Sequence, residues 1–290
     1  MPQKKVSVCI VTLNASKYLH HCLTLLEQSQ GAEVEQIIVV DNRSNDNTVK
    51  MIHEKHSSVI LIQNNRNEGY TIPMNRAMKE ADGEYLLILN PDAFVKPKAV
   101  AALANFLDLH PEVGIAGPKV LNVDGTFQKS CRRGVARPWN VISYFTGLAA
   151  RFPDNSKYTG YHLSHLDENI LNEVDGVSGS CMMIRRNLID KIDCFDERFF
   201  AYQEDSDYCF RAKAAGWKIY YVPEAEVIHD AGRGGSAAYK YRSLFEWHRS
   251  YYLLYKKHFS ADYFPLVNGL FYSAMLGKLL MKVIREAVRN

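Results

Sequence analysis

At 290 residues, with 23% charged residues and a formal net charge of +3, the chain has the size of one large domain or a domain with an appendage. So small a charge, without a basic block, argues against a nucleic-acid partner. The six cysteines (Cys9, Cys22, Cys131, Cys181, Cys194 and Cys209) form no C-x-x-C pair, which argues against a zinc or disulfide framework and fits reduced thiols in a cytoplasmic protein.

The N-terminal run "MPQKKVSVCIVTLN" is too short and too strand-like for a signal peptide. Residues 6–14 read as a buried strand and 15–29 as a helix, with Leu19, Cys22, Leu23 and Leu26 near one face. A second buried strand starts at 34 and ends in the polar cluster "DNRSNDNT". The next helix opens near Asp46 or Asn47, either of which is a candidate N-cap. Residues 58–64 form a third strand. Residues 71–82 form a helix with Gly83 as its expected C-cap. Residues 84–90 form a fourth strand, apolar on both faces. Such alternation predicts an α/β fold with a mostly parallel sheet and helices on both faces.

A helix over 97–112 and a strand over 113–120 follow. Residues 124–175 are irregular and rich in Gly, Pro, Asn and Arg, as expected of a substrate-facing excursion. Then come a strand (177–186), a short helix and turn (187–199), a helix opening on acids (202–217) and a strand pair (218–230). From 239 the chain reads as helical, aromatic and cationic. No run of 18 uninterrupted apolar residues occurs, so no spanning helix is predicted.

The fourth strand runs into Asn90-Pro91-Asp92, and proline cannot continue a central strand. The tripeptide is either a simple turn or a carboxylate held at the sheet's ligand-binding edge. Asp41, after "IIVV", ends the second strand on the same edge. The first strand ends in Thr12-Leu13-Asn14, with no Gly-rich phosphate loop. A bound diphosphate would then need another neutralising group, such as a divalent cation held by a carboxylate. Asp92 is one candidate ligand. His229, after an apolar strand, is a second, although a strand-end histidine is more often structural. In "DERFFAYQEDSD", Glu204, Asp205 and Asp207 exceed what helix capping requires. Packed carboxylates raise one another's pKa, which suits a general base or a metal site.

These segments together resemble a family 2 glycosyltransferase of the GT-A type, in its bacterial rhamnosyltransferase-like branch. The matching stretches are "VCIVTLN", "IIVVDNRSNDNT", "NEGYTIPMNRAM", "GEYLLILNPD", "DGVSGSCMMIRR" and "FDERFFAYQEDSDYCFRAKAAGWKIYYVPEAEVIH", in family order over about residues 6–236. The resemblance implies a GT-A domain over 1–238, with a donor half (1–123) and an acceptor and catalytic half (124–238), and a helical extension over 239–290. It implies that Asp41 binds the pyrimidine of a dTDP- or UDP-sugar, with Thr12 and Asn14 lining the nucleoside pocket and Gly69 and Asn75 near nucleoside and sugar. Asn90-Pro91-Asp92 replaces the family's D-x-D motif, so Asp92 and His229 become the ligands of Mg²⁺ or Mn²⁺ and Asn90 a ribose contact. Asp205 matches the catalytic base, with Glu204 positioning the acceptor or tuning it. Arg132 and Arg133 either assist at the phosphates or lie on a solvated loop. The implied reaction is an inverting displacement, with rhamnose the favoured sugar, onto a glycan or polyprenyl-diphosphate-linked acceptor in cell-surface polysaccharide synthesis. Its competitors are an inactive glycan-binding subunit and a sugar-nucleotide nucleotidylyltransferase, which lacks support without a basic Gly-rich loop.

In the tail, Lys278, Lys282, Arg285 and Arg289 fall on one helical stripe and Leu276, Leu279, Leu280, Val283 and Ala287 largely opposite. Such a helix can lie on an anionic membrane, meet a partner helix or pack on its own domain; the membrane surface is the favoured expectation. The protein is thus expected in the cytoplasm, peripheral at the inner face of the membrane.

Overall fold

The computed structural model describes residues 5–233 and 240–289. Its first part alternates β1 (Lys5–Thr12), α1 (Ser16–Glu27), β2 (Glu33–Asp41), α2 (Thr48–Lys55), β3 (Ile60–Gln63), α3 (Thr71–Glu80) and β4 (Tyr85–Leu89). The strands β3, β2, β1 and β4 lie side by side, each pair parallel. All five residues of β4 are buried, each large apolar side chain contributing about 1.5–3 kcal/mol. That double burial is why the segment reads as one unbroken apolar run.

The start of α2 falls at the expected pair, and the end of α3 differs from expectation. Asn47 occupies the N-cap position of α2 without a side-chain cap bond; Asp46 accepts from the Thr48 N–H at 2.9 Å and from the Ser16 N–H at 3.2 Å, tying α1 to α2. Gly83 does not cap α3, because the chain turns extended already at Ala81 (ψ 136°). The Gly83 N–H instead donates to Ser7 Oγ at 2.9 Å.

Beyond Asn90-Pro91-Asp92 the chain forms β5 (Ala93–Val95), too short to show a period in the sequence. Next come α4 (Ala99–Leu109) and β6 (Val113–Leu121), then the excursion with β7 (Arg132–Arg133), α5 (Pro138–Phe145), α6 (Leu148–Arg151), α7 (Ser156–Thr159) and β8 (Asn172–Glu173). The expected strand over 177–186 is two: β9 (Gly176–Val177), paired with β7 in a small second sheet, and β10 (Cys181–Arg185). They are followed by α8 (Arg186–Ile192), α9 (Glu204–Ala214) and β11 (Lys218–His229). The expected strand pair is this single strand, whose register against β6 shifts between Val222 and Glu226. Pro223 lies in the shift, where it has no N–H to give.

The main sheet runs β3-β2-β1-β4-β10-β6-β11-β5, with β8 also on β11. β10 is antiparallel to both neighbours, and β5 is antiparallel to β11. Apolar cores fill both faces of the sheet. The appendage is α10 (Lys240–His258) and α11 (Pro265–Arg289), which share a third core with Val141 and Phe199. The expected domain boundary at 238/239 lies outside the described residues, as does the side chain of Arg289. By length and composition alone, α11 is apolar enough from Pro265 to Val288 to cross a membrane, contrary to expectation. Lys278 and Lys282 interrupt its apolar run, so the sequence shows no unbroken stretch there.

Candidate active site

A cavity of about 770 Å³ opens where β1 and β4 end. Thr12, Asn90 and Asp92 line it from the sheet, Gly69 and Tyr70 from the approach to α3, and Glu204 and Asp205 from the start of α9. His229 at the end of β11 and Lys282 on α11 complete its wall.

Register brings Asp92 to His229. β5 pairs with β11 so that Ala93 faces His229, and Asp92 sits one residue away. The His229 Nε2 lies 3.3 Å from Asp92 Oδ1, with Asp92 buried and His229 largely covered. Gln128 Nε2 donates to Asn122 Oδ1 at 2.9 Å, so its Oε1 is the atom that takes the proton of His229 Nδ1, at 2.8 Å. A neutral ring held this way presents its Nε2 lone pair to the carboxylate. Two electron-rich atoms at this spacing suit a shared cation, since ligands about 2.1 Å from an octahedral ion and at right angles are about 3 Å apart. Among the described residues no third His, Cys, Asp or Glu forms a metal cluster with them. A two-ligand site fits Mg²⁺ or Mn²⁺, which takes its other ligands from water and substrate phosphates.

The nucleoside side is built by loops packed on each other. Asn14, in a left-handed conformation (φ 51°), accepts from the Asn45 N–H at 2.8 Å and donates its own N–H to Ser44 Oγ. Asp41 pairs in register with Thr12 and is 2% exposed. Its Oδ2 accepts from the Ser44 N–H at 2.9 Å, while its Oδ1 and the Thr12 hydroxyl have no hydrogen-bond partner among the described residues. Buried orphan acceptors are costly unless a ligand supplies the donor. Gly69 has φ +86°, and a Cβ there would lie 2.3 Å from Phe200 O, so only glycine fits.

At the α9 end, Asp205 is saturated. Its Oδ2 accepts from Arg133 and from the Gly179 N–H at 2.9 Å; its Oδ1 accepts from the Ser206 N–H at 2.6 Å and hydroxyl at 3.2 Å. Burial alone would raise this carboxyl, but the Arg133 charge and these donors outweigh it and hold Asp205 below the usual range. Glu204 is opposite in character. Burial first, and the Asp205 charge second, push it up to about 8, and its Oε2 has no hydrogen-bond partner among the described residues. Asp207 lies away from the cavity chemistry, bonded to Arg211 and His258.

Thr12, Gly69, Asn90, Asp92, Arg133, Glu204, Asp205 and His229 therefore share one cavity, with Asp41 and Asn14 beside it. Two candidates are not brought there. The Asn75 amide clasps the Phe195 backbone, donating at 2.8 Å and accepting at 2.9 Å, and serves to dock α3 on the 193–199 turn. Arg132 is 1% exposed, donates to Asp167 O at 2.8 Å and stacks 4.7 Å from the Tyr221 ring. Alternation along β7 explains the split, since successive side chains point to opposite faces. Gln128, Tyr144, His162 and Trp247 are cavity or ligand-orienting residues that the sequence does not single out. Single aromatics in irregular or helical segments carry no local signal for a cavity wall.

An α/β sheet with carboxylates and a histidine gathered at its strand ends is a ligand-binding framework of the enzyme type. The model for "Glycosyl transferase family 2" matches residues 7–193, and the chain belongs to that family. It is 29% identical over 234 residues to the N-acetylglucosaminyl-diphospho-decaprenol L-rhamnosyltransferase of Mycobacterium tuberculosis, covering 77% of this chain and 75% of that protein. It is 25% identical to the rhamnosyltransferase WbbL of Escherichia coli over 67% of this chain and 70% of that one. Staphylococcus aureus TarS 1–349 in complex with UDP-GlcNAc superposes with a TM-score of 0.60 at 20% identity, over 94% of this chain and 71% of that one. A mannosyltransferase from Pyrobaculum calidifontis, in complex with GDP-Man and Mn²⁺, gives 0.59 at 16%, over 88% and 65%. The fold is the GT-A fold, and the protein is a rhamnosyltransferase-like glycosyltransferase.

Proposed function

We propose that the protein moves a sugar, rhamnose in the first instance, from a pyrimidine nucleoside diphosphate to a hydroxyl of a lipid-linked glycan, with inversion at the anomeric carbon. The single observation that carries this reading is the meeting of Asp92 and His229 with the Glu204–Asp205 pair in one cavity. Asp41 Oδ1 and Thr12 are available to accept from and orient the base. Asp92 and His229 hold the cation, which when bound offsets the charge of the departing diphosphate. The acceptor oxygen forms its bond to the anomeric carbon as the bond to the diphosphate oxygen breaks. Asp205, ionised at neutral pH, takes the acceptor's proton. The Ser206 hydroxyl, at 3.2 Å, is its longest contact and the one an acceptor hydroxyl can replace. Glu204, protonated at neutral pH, donates to the acceptor rather than competing for its proton.

Membrane contact belongs to the same proposal. The outward face of α11 exposes Leu266, Leu270, Leu280, Met281, Ile284 and Val288, while Asn268, Phe271 and Met275 pack inward. An apolar face turned away from its own domain suits the boundary of headgroups and acyl chains. The similarity to an N-acetylglucosaminyl-diphospho-decaprenol L-rhamnosyltransferase supports such an acceptor.

The test is calorimetric titration of the full chain with dTDP, UDP and GDP, with and without Mn²⁺ or Mg²⁺. Metal-dependent binding of a pyrimidine diphosphate that is lost in Asp92→Ala is expected. No binding under any condition would sink the donor assignment and favour an inactive glycan-binding subunit. Asp205→Asn separates those two readings further, since an enzyme loses turnover there while keeping donor affinity.

A further inference from the structure

Two cations of the α11 stripe meet aromatic rings at the cavity: Lys278 is half-buried, and Lys282, exposed to solvent, lines the cavity mouth. Lys278 Nζ lies 2.9 Å from the centroid of the Phe145 ring and 4.8 Å from that of Trp247. Lys282 Nζ lies 5.5 Å from the Trp247 ring, and Lys282, Trp247 and Phe145 all line the cavity. Arg242, from α10, lines it too, with its guanidinium 4.1 Å from the Phe200 ring. Among the described residues none of these three cations has a carboxylate within ion-pair distance, whereas Arg133 in the same cavity, and Arg211 and Lys257 outside it, each pair with a buried aspartate.

Aromatic faces attract cations, but they do not neutralise them. Two ammonium groups four residues apart on one helix repel each other. Burial first, and the neighbouring Lys282 second, push Lys278 down to about 8. The arrangement is favourable once an anion of more than one charge enters between them. The same helix turns an apolar face the other way, toward the environment that would hold an isoprenoid chain. At 1.5 Å per residue, α11 is long enough to lie along a bilayer surface while its polar edge stays at headgroup level, where a lipid diphosphate sits.

We infer that Lys278, Lys282 and Arg242, backed by Phe145 and Trp247, form the subsite for the diphosphate of an isoprenoid-linked acceptor, separate from the donor diphosphate at Asp92 and His229. The inference rests on the lipid-linked acceptor proposed above. In this arrangement the acceptor enters along α11, its diphosphate stops at the lysines, and its sugar reaches inward to Glu204 and Asp205. The lysines orient; they do not touch the reacting atoms.

The experiment is titration of the full chain with farnesyl diphosphate, with farnesol as the neutral control, alongside dTDP or UDP with Mn²⁺. The proteins are wild type, Lys282→Gln and the double variant Lys278→Gln/Lys282→Gln. Lys282 is exposed on its helix, so its variant leaves folding intact. We expect farnesyl diphosphate to bind wild type and to weaken several-fold in Lys282→Gln. In the double variant, which removes two charge-assisted hydrogen bonds to the diphosphate, the expected weakening is at least ~10-fold. Nucleoside diphosphate binding is expected to be unchanged. Equal farnesyl diphosphate affinity in all three proteins, or farnesol binding as well as the diphosphate, overturns the subsite. So does an equal loss of nucleoside diphosphate affinity, which would assign the lysines to the donor. Failure of wild type to bind any nucleoside diphosphate strikes the donor assignment instead and leaves the farnesyl diphosphate result readable.

Discussion

Asp92 and His229, 137 positions apart in the chain, stand 3.3 Å from each other because the three-residue strand β5 pairs antiparallel with the end of β11. The pairing fixes the backbone on which both side chains stand, and Gln128 fixes the histidine's tautomer. Replacing Gln128 with Leu frees the ring to rotate and to move its proton. Partners of this kind are worth about 10–100-fold in metal affinity. Gln128→Leu is therefore expected to weaken Mn²⁺-dependent nucleoside diphosphate binding by about tenfold or more, with metal-independent binding unchanged. Calorimetry in Mn²⁺ and in EDTA checks it, and equal affinity for wild type and variant in Mn²⁺ would show that Gln128 has no such role.

Asp41 Oδ1 is a buried acceptor without a donor among the described residues. A pyrimidine imide N–H supplies one. Asp41→Asn turns the acceptor into a group that can present N–H to N–H, and a charge-assisted bond is worth about 1.5–3 kcal/mol. Affinity for dTDP or UDP is expected to fall about 10–100-fold, while inorganic diphosphate with Mn²⁺ binds as before. A parallel weakening of both ligands would indicate that the loop had collapsed instead.

Gly69 carries the turn that lets the loop before α3 pass under Phe200, whose carbonyl accepts from the Tyr70 N–H at 2.7 Å. With φ +86° and only 2.3 Å between a would-be Cβ and Phe200 O, Gly69→Ala must both strain and displace the backbone. A cost of about 2 kcal/mol or more is expected in urea unfolding. Donor affinity should fall with it, since the same loop lines the cavity.

The parts of this site that were legible in the sequence are those set by local chemistry. β4 announces itself by an unbroken apolar run, and Pro91 marks where it must stop. Asp41, Asp92 and His229 follow apolar strands, so a sheet edge could be inferred for each. What could not be read is pairing. β5 is too short to have a period, and its match to β11 is decided by the sheet around it. The fates of Arg132 and Arg133, adjacent in sequence, diverge because β7 alternates: one is spent inside on Tyr221 and Leu166, the other reaches Asp205. Asn75 reads as a ligand contact by motif, yet its amide fits the Phe195 backbone. The basic stripe of α11 was visible, but that Lys278 and Lys282 meet aromatic rings depended on Phe145 and Trp247, which lie far off in the chain.

Glu204 and Asp205 are neighbours held in opposite charge states. A carboxyl raised to about 8 keeps its proton at neutral pH, so Gln is a near copy of its working form. Glu204→Gln is expected to retain much of the turnover that Asp205→Asn abolishes. It should also flatten stability against pH. Because the folded-state value lies above the ordinary 4.5, the native state binds a proton that the unfolded chain releases. Stability is then lost as pH rises from the ordinary value toward about 8, and Glu204→Gln removes that slope. Urea unfolding of both proteins across this range checks the sign.

Arg133 decides which of the two acids is ionised. Its guanidinium pairs with Asp205 and also donates to Ser206 Oγ at 2.9 Å. Removing one member of a buried pair costs about 3–5 kcal/mol, because the other charge is left uncompensated. In Arg133→Met the desolvation that now opposes ionisation of Asp205 has nothing to offset it, and the carboxyl should rise. The acid limb of the pH–rate profile is expected to move to higher pH, with turnover at neutral pH falling accordingly. Arg133→Lys restores the charge without the two-pronged geometry, and should bring the limb most of the way back while recovering less of the rate. If Arg133 served only to hold the fold, stability would fall in Arg133→Met but the limb would stay where it was in every protein.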